Sequence, residues 1–268
     1  MKNLVIVAIL VLSSAFTKAQ GEKIARELKG YINAEASDEV IEVKDTSGKI
    51  HYVKSAKAKT VHHIGGTSTS NSSVVFDAFN AHPEWQDMSV IVDWTGSMYS
   101  YVGQVVRWQH VNKDKQLIHN MVLFNDGDDK KRNANSGAKT LGSTGGIYHP
   151  DHSNIDAFLK MVAAAVDNGN GGDGPENDIE AILASQKLCH GEKDFVLIAD
   201  SSAIRDISLA SQVKRPVHVI ICDSVSDDYI QLAKMTKGSI TWPGGYIDYS
   251  GENCNKRHVH IDEVACAG

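Results

Sequence analysis

Apolar positions in this chain come in short, nearly continuous runs, separated by stretches where they recur every three or four residues. Met88 to Val92, Leu117 to Phe124, Phe195 to Ala199, Val217 to Ile221 and Ile240 to Trp242 have strand length. A nearly continuous apolar run is what a strand buried on both faces requires. After the first run, Met98, Val102, Val105, Val106 and Gln109 recur at helical spacing, and Ile155, Phe158, Leu159, Val162 and Val166 do so within a helix predicted over Asn154 to Val166. Further helices are predicted over Pro175 to Leu188, Ile204 to Gln212 and Asp227 to Lys237. Strands alternating with helices through short connections predict an α/β fold, a mostly parallel sheet with helices on both faces.

Both ends of the chain have a different texture. Lys2, the apolar run Leu4 to Leu12 and the small residues around Thr17-Lys18-Ala19 read as a signal peptide over residues 1–19, so the mature chain is expected to start near Gln20 and to be exported, periplasmic or extracellular. The run is too short for a stable membrane anchor, and no second long apolar segment predicts a membrane span. Residues 20–84 read as an extension: an amphipathic start, a hairpin through Asp45-Thr46-Ser47-Gly48, and a polar linker from Gly65 to Ser73. Residues 85–243 form the expected domain, and 244–268 a short tail.

Composition narrows the function. The chain has 268 residues, 42% of them hydrophobic, enough for one substantial core. A formal net charge of -6 without a basic stripe argues against nucleic acid, whose binding needs clustered Lys and Arg. Lys130-Lys131-Arg132 follows three aspartates and reads as a solvated loop.

Candidate chemistry concentrates where the first apolar run ends. Asp93, Thr95 and Ser97 stand at alternate positions in Asp93-Trp94-Thr95-Gly96-Ser97-Met98, between a strand and a helix. One carboxylate and two hydroxyls offer only hard oxygen donors, which suit Mg²⁺, Mn²⁺ or Ca²⁺ and leave the ion most of its charge. Such an ion can take an acidic group from a partner as its next ligand.

This loop resembles the metal-ion-dependent adhesion site of von Willebrand factor type A (VWA) domains. Gly171-Gly172-Asp173-Gly174-Pro175-Glu176 is similar to the glycine-rich loop of one branch of that family, and Phe195 to Asp200 to its strand ending in a metal-site aspartate. The resemblance covers roughly Trp85 to Trp242. It implies a doubly wound sheet with one antiparallel edge strand, for which Leu117 to Phe124 is the candidate. It also implies a non-enzymatic domain that binds the Asp or Glu of a protein partner through a divalent cation, Mg²⁺ first. The implied ligands are Asp93, Thr95, Ser97, Asp200 and a residue of the second loop, where Asp173 is the candidate and Thr144 the competitor. Ser201 replaces the glycine that often follows the third-loop aspartate. Trp94, Tyr99 and Glu176 are candidates for the rim that faces the partner.

Two other readings use the same residues. A metal-dependent phosphohydrolase would act through Asp93, but the acid/base position two residues on holds Thr95. A purely structural ion would staple the loops and leave no open position. Elsewhere, Cys254 and Cys266 can close a disulfide in the tail, while Cys189 and Cys222 pair or stay as buried thiols. His258 and His260 would share one strand face but lack a recognisable third zinc ligand, and Asn125 to Asp129 lacks the ordered series of a calcium loop.

Overall fold

The computed structural model describes residues 19–34, 40–44, 48–54, 63–64, 67–68, 73–125, 127, 141–168, 174–251 and 255–256. An eight-stranded sheet runs through the molecule. Its central strands, in spatial order, are β10 (Ser239–Trp242), β9 (Val217–Ile221), β8 (Asp194–Ala199), β5 (Met88–Asp93) and β6 (Ile118–Phe124), all parallel. Two-residue β7 (Ile147–Tyr148) adds antiparallel to β6, and β11 (Gly245–Asp248) and β12 (Asn255–Lys256) extend the other side antiparallel. Two small ladders lie outside this sheet: β1 (Val40–Lys44) with β2 (Ile50–Lys54), and β3 (His63–Ile64) with β4 (Thr67–Ser68).

Period-two alternation sends neighbouring residues to opposite sides, so each central strand feeds two cores. Val90 and Val92 of β5 join one cluster, with α1 (19–32), α2 (Val74–Ala81), α3 (Tyr99–Val111) and α4 (Ile155–Asn168). Ile91 joins the other, with α5 (Asp178–Leu188), α6 (Asp227–Thr236) and the 3₁₀ turn Ile207–Gln212. The α/β expectation of a mostly parallel sheet with helices on both faces therefore holds. No helix of the described residues is long and apolar enough to cross a membrane.

Several details differ from expectation. Leu117 to Phe124 is no antiparallel edge: β6 lies inside the sheet, parallel to β5 on one side and paired with antiparallel β7 on the other. The edge is β7, whose two residues are too few to leave a periodic signal. Pro175 and Glu176 do not start α5, because Glu176 forms a parallel bridge with Ile204 instead. Only a 3₁₀ turn spans Ile207–Gln212, where a helix from Ile204 was expected.

The segment before Trp85 was expected to be an appended hairpin and linker. The hairpin of β1 and β2 is present, with its turn residues 45–47 outside the described residues. Ile24, Leu28, Tyr31, Val75 and Phe79 of α1 and α2, by contrast, are buried in the first core. Arg107 of α3 ties α1 down: Nη1 donates to the carbonyls of Tyr31 (2.6 Å) and Ile32 (3.1 Å), and Nη2 to that of Ala34 (2.8 Å). It thereby supplies donors to carbonyls at the end of the helix, where intrahelical partners run out. Similarly, the first residues of the tail are part of the sheet, as β11 and β12.

Candidate functional site

The chain leaves β5 over one face, through α3, and leaves β8 over the other. The crevice between the carboxyl ends of these two neighbours is a topological switch point, where doubly wound sheets collect ligands. Asp93 ends β5 and Asp200 directly follows β8. Two sequence-predicted residues, 107 positions apart in the chain by subtraction of their numbers, thus arrive at one edge.

Local hydrogen bonds shape the loop between them. Asp93, fully buried, accepts the Thr95 N–H at Oδ1 over 2.7 Å, an Asx turn that folds the chain back across the strand end. The Met98 N–H then donates to the Thr95 carbonyl at 3.0 Å, and a 3₁₀ turn over Gly96–Met98 leads into α3. Ser97 Oγ donates to Asp200 Oδ2 at 2.9 Å, and Thr95 Oγ1 lies 3.4 Å from Ser97 Oγ. Each hydroxyl carries one proton. Since that of Ser97 goes to Asp200, Thr95 is the donor in its contact with Ser97, and both oxygens retain lone pairs for another ligand. Asp200 Oδ1 accepts the Ser202 N–H at 2.8 Å.

The surrounding ionisable groups respond to these carboxylates. Burial, reinforced by the Asp93 charge, pushes Tyr99 up to about 12. Burial, then Asp93, Asp200 and Asp223, raise the Cys222 thiol, which stays protonated. Tyr229 is raised by burial, then by Asp178, Asp93 and Asp200.

The side chains of Asp93, Thr95, Ser97 and Asp200 thus offer only oxygen donors, without nitrogen or sulfur. This donor set fits Mg²⁺, Mn²⁺ or Ca²⁺ and does not fit a soft metal. Among the described residues no group of three or more His, Cys, Asp and Glu is placed to hold a metal, so a cation here would depend on the two hydroxyls.

Asp173 lies outside the described residues. Where the chain resumes, the Glu176 N–H donates to Ala203 O (2.9 Å) and the Arg205 N–H to Glu176 O (2.8 Å), so residues 176–177 run beside the segment following Asp200. Thr144 precedes β7 at the same edge of the sheet, its amide donating to Glu180 Oε2 at 2.8 Å. Cys254, Cys266, His258 and His260 also lie outside the described residues, and Cys189 and Cys222 are free thiols.

The expected rim is corrected. Trp94, Tyr99 and Glu176 are only 0%, 3% and 5% exposed and present little surface to a partner. The backbone N–H of Trp94 donates to the Phe124 carbonyl (2.6 Å), and its ring packs inward, 4.4 Å from that of Tyr99, within the first core.

Some residues here escaped the sequence analysis. Asp206 caps α5, accepting the N–H groups of Ile179 (3.1 Å) and Glu180 (2.6 Å); burial pushes its carboxyl up to about 6 against those bonds. Tyr229 donates to Asp178 Oδ1 at 3.1 Å, below the loops. Asp223 was within reach of sequence reasoning, since it stands just beyond the run Val217 to Ile221, at another carboxyl end of the sheet. The chain matches no protein-family model, no curated protein and no solved structure, so what the site does must be argued from its own residues.

Proposed function

We propose that this is an exported, non-enzymatic binding protein of the VWA type, in which Asp93, Thr95, Ser97 and Asp200, joined by Asp173, hold a divalent cation, Mg²⁺ first. The cation engages an Asp or Glu of a protein partner. The observation that carries this reading is the hydrogen-bonded chain from Thr95 through Ser97 to Asp200, which joins the ends of two neighbouring strands at the switch point. The resemblance of three loops, in order, supports it independently. Export rests on the apolar run and small residues of positions 1–19.

Each residue has a distinct part. Asp93 supplies the buried negative charge, and its bond to the Thr95 amide fixes the loop that presents both hydroxyls. Thr95 and Ser97 are neutral donors, which add ligands without cancelling charge. Asp200 holds the Ser97 proton and so leaves that oxygen's lone pairs available. A bound divalent ion would supply a hard Lewis-acidic position that favours a partner carboxylate. Against hydrolysis, Thr95 stands where a general acid/base would be needed.

Calorimetry with Mg²⁺ and Mn²⁺ on the chain from Gln20 tests the reading. Wild type should bind, Asp93→Ala and Asp200→Ala should lose at least about tenfold in affinity, corresponding to about 1.4 kcal/mol, and acetate should bind only with the metal. Unchanged affinity in Asp93→Ala would sink it.

A further inference from the structure

Next to the loop the sheet edge opens into a cleft of about 810 Å³. Ser97 and Asp200 form the side shared with the candidate metal site, Asp223 and Ser201 lie on the strand ends beyond, and Trp242 and Pro243 also line it. Asp223 is exposed, and its Oδ2 accepts a hydrogen bond from Ser201 Oγ at 3.4 Å. Tyr101 also lines the cleft, its hydroxyl donating to the Cys222 carbonyl at 3.3 Å. Among the described residues lining this cleft the charged groups are both carboxylates, with no Lys, Arg or His.

A cleft that pairs an exposed carboxylate with an indole and a proline suits a long cationic side chain. Its apolar stem lies along the rings while its charge reaches the carboxylate, and a cation over an indole face gains further attraction. A purely acidic partner would instead bring its charge toward Asp223, which is not among the residues that would hold the cation. Like charges across an interface select against such partners.

We propose that the partner segment is zwitterionic: beside the acidic residue that meets the cation it carries a lysine or arginine, which occupies this cleft with its stem along Trp242 and its charge at Asp223. The inference rests on the metal-dependent reading of the Asp93 loop, and it adds the partner's second determinant.

Three capped peptides test it in saturating Mg²⁺: Gly-Glu-Gly, Gly-Glu-Gly-Lys and Gly-Gln-Gly-Lys. Wild type should bind the Glu-Lys peptide about tenfold tighter than the Glu peptide, an advantage that shrinks in about 0.5 M NaCl. Asp223→Asn should remove that advantage while Gly-Glu-Gly still binds, and Asp223→Lys should reverse it. Trp242→Ala should reduce it severalfold. Equal binding of the first two peptides to wild type, an advantage that survives Asp223→Lys, or no binding of either Glu peptide to the Mg²⁺-loaded protein would overturn the proposal. Failure of the underlying reading looks different: no heat of Mg²⁺ binding, or Glu peptides that bind equally well in EDTA.

Discussion

At the carboxyl ends of β5 and β8 the chain gathers short polar side chains: Asp93, Thr95, Ser97 and Asp200, linked by hydrogen bonds and surrounded by groups whose pKa values burial raises, with the carboxylate charge adding to it. Toward the amino ends of the same sheet it gathers rings. Trp85 stacks on His82 with centroids 4.2 Å apart and planes 11° from parallel, and has His218 on β9 at 4.9 Å. His82 in turn meets Tyr246 of β11 at 4.9 Å, while His218 Nδ1 lies 2.9 Å from Ser239 Oγ. Rings bury large areas and interlock strand, helix and edge. Short carboxylates bury little and repel one another when no cation is present. Large buried rings thus gather at one end and mutually repelling carboxylates at the other, as when a locally unfavourable site is held by the structure around it.

The largest expected effect comes from breaking the ring end. Trp85→Ala should cost about 3–5 kcal/mol in urea unfolding, as other large-to-small core substitutions do, while Mg²⁺ affinity of the molecules still folded stays near wild type. A matching loss of metal affinity would show that the two ends are not separable.

Next is pH. The folded carboxyl of Asp206 sits at about 6, above its ordinary value of 3.8, so the native state holds a proton that the unfolded chain releases earlier. Stability should then fall as pH rises from about 4 to about 6, by at most about 3 kcal/mol. Urea unfolding across that range checks the sign, and Asp206→Asn should flatten the slope.

Removing the clamp on α1 should cost somewhat less. Arg107→Ala leaves three carbonyls without the donors described above, a loss of about 2–3 kcal/mol. Hydrogen exchange should locate the new opening at residues 19–32. Protection lost evenly across the sheet would instead make α1 integral to the whole core.

The smallest effect carries the opposite sign. Asp93→Asn keeps an acceptor for the Thr95 amide but removes a buried charge, so in EDTA the variant should be more stable than wild type by about 1 kcal/mol. In saturating Mg²⁺ the order should reverse. A variant less stable under both conditions would mean that the negative charge at this end is structural.

Legibility in the sequence tracked the length of the signal. The runs Met88 to Val92, Phe195 to Ala199 and Val217 to Ile221 announced β5, β8 and β9 because strands covered on both faces are apolar over most of their length. β7 and α2 did not announce themselves: two residues have no period, and the eight-residue helix Val74–Ala81 followed a polar run that read as linker. At the site, the alternate spacing of Asp93, Thr95 and Ser97 was visible, as was Asp200 beyond its strand. The inward turn of Trp94 and Tyr99 was not, because an aromatic residue beside a loop suits a rim or a core equally and only packing distinguishes them.

By itself, the sequence determined the class of the fold and the two strand ends that carry oxygen donors, since both are written in local pattern and spacing. Tertiary structure alone decided that β5 and β8 are neighbours, so that Ser97 can donate to Asp200, that α1 is clamped by Arg107, and that Asp223 and Trp242 line the same cleft. Those contacts join residues far apart in the chain, and their formation depends on sheet order and on the face over which each connection passes, which no local pattern encodes.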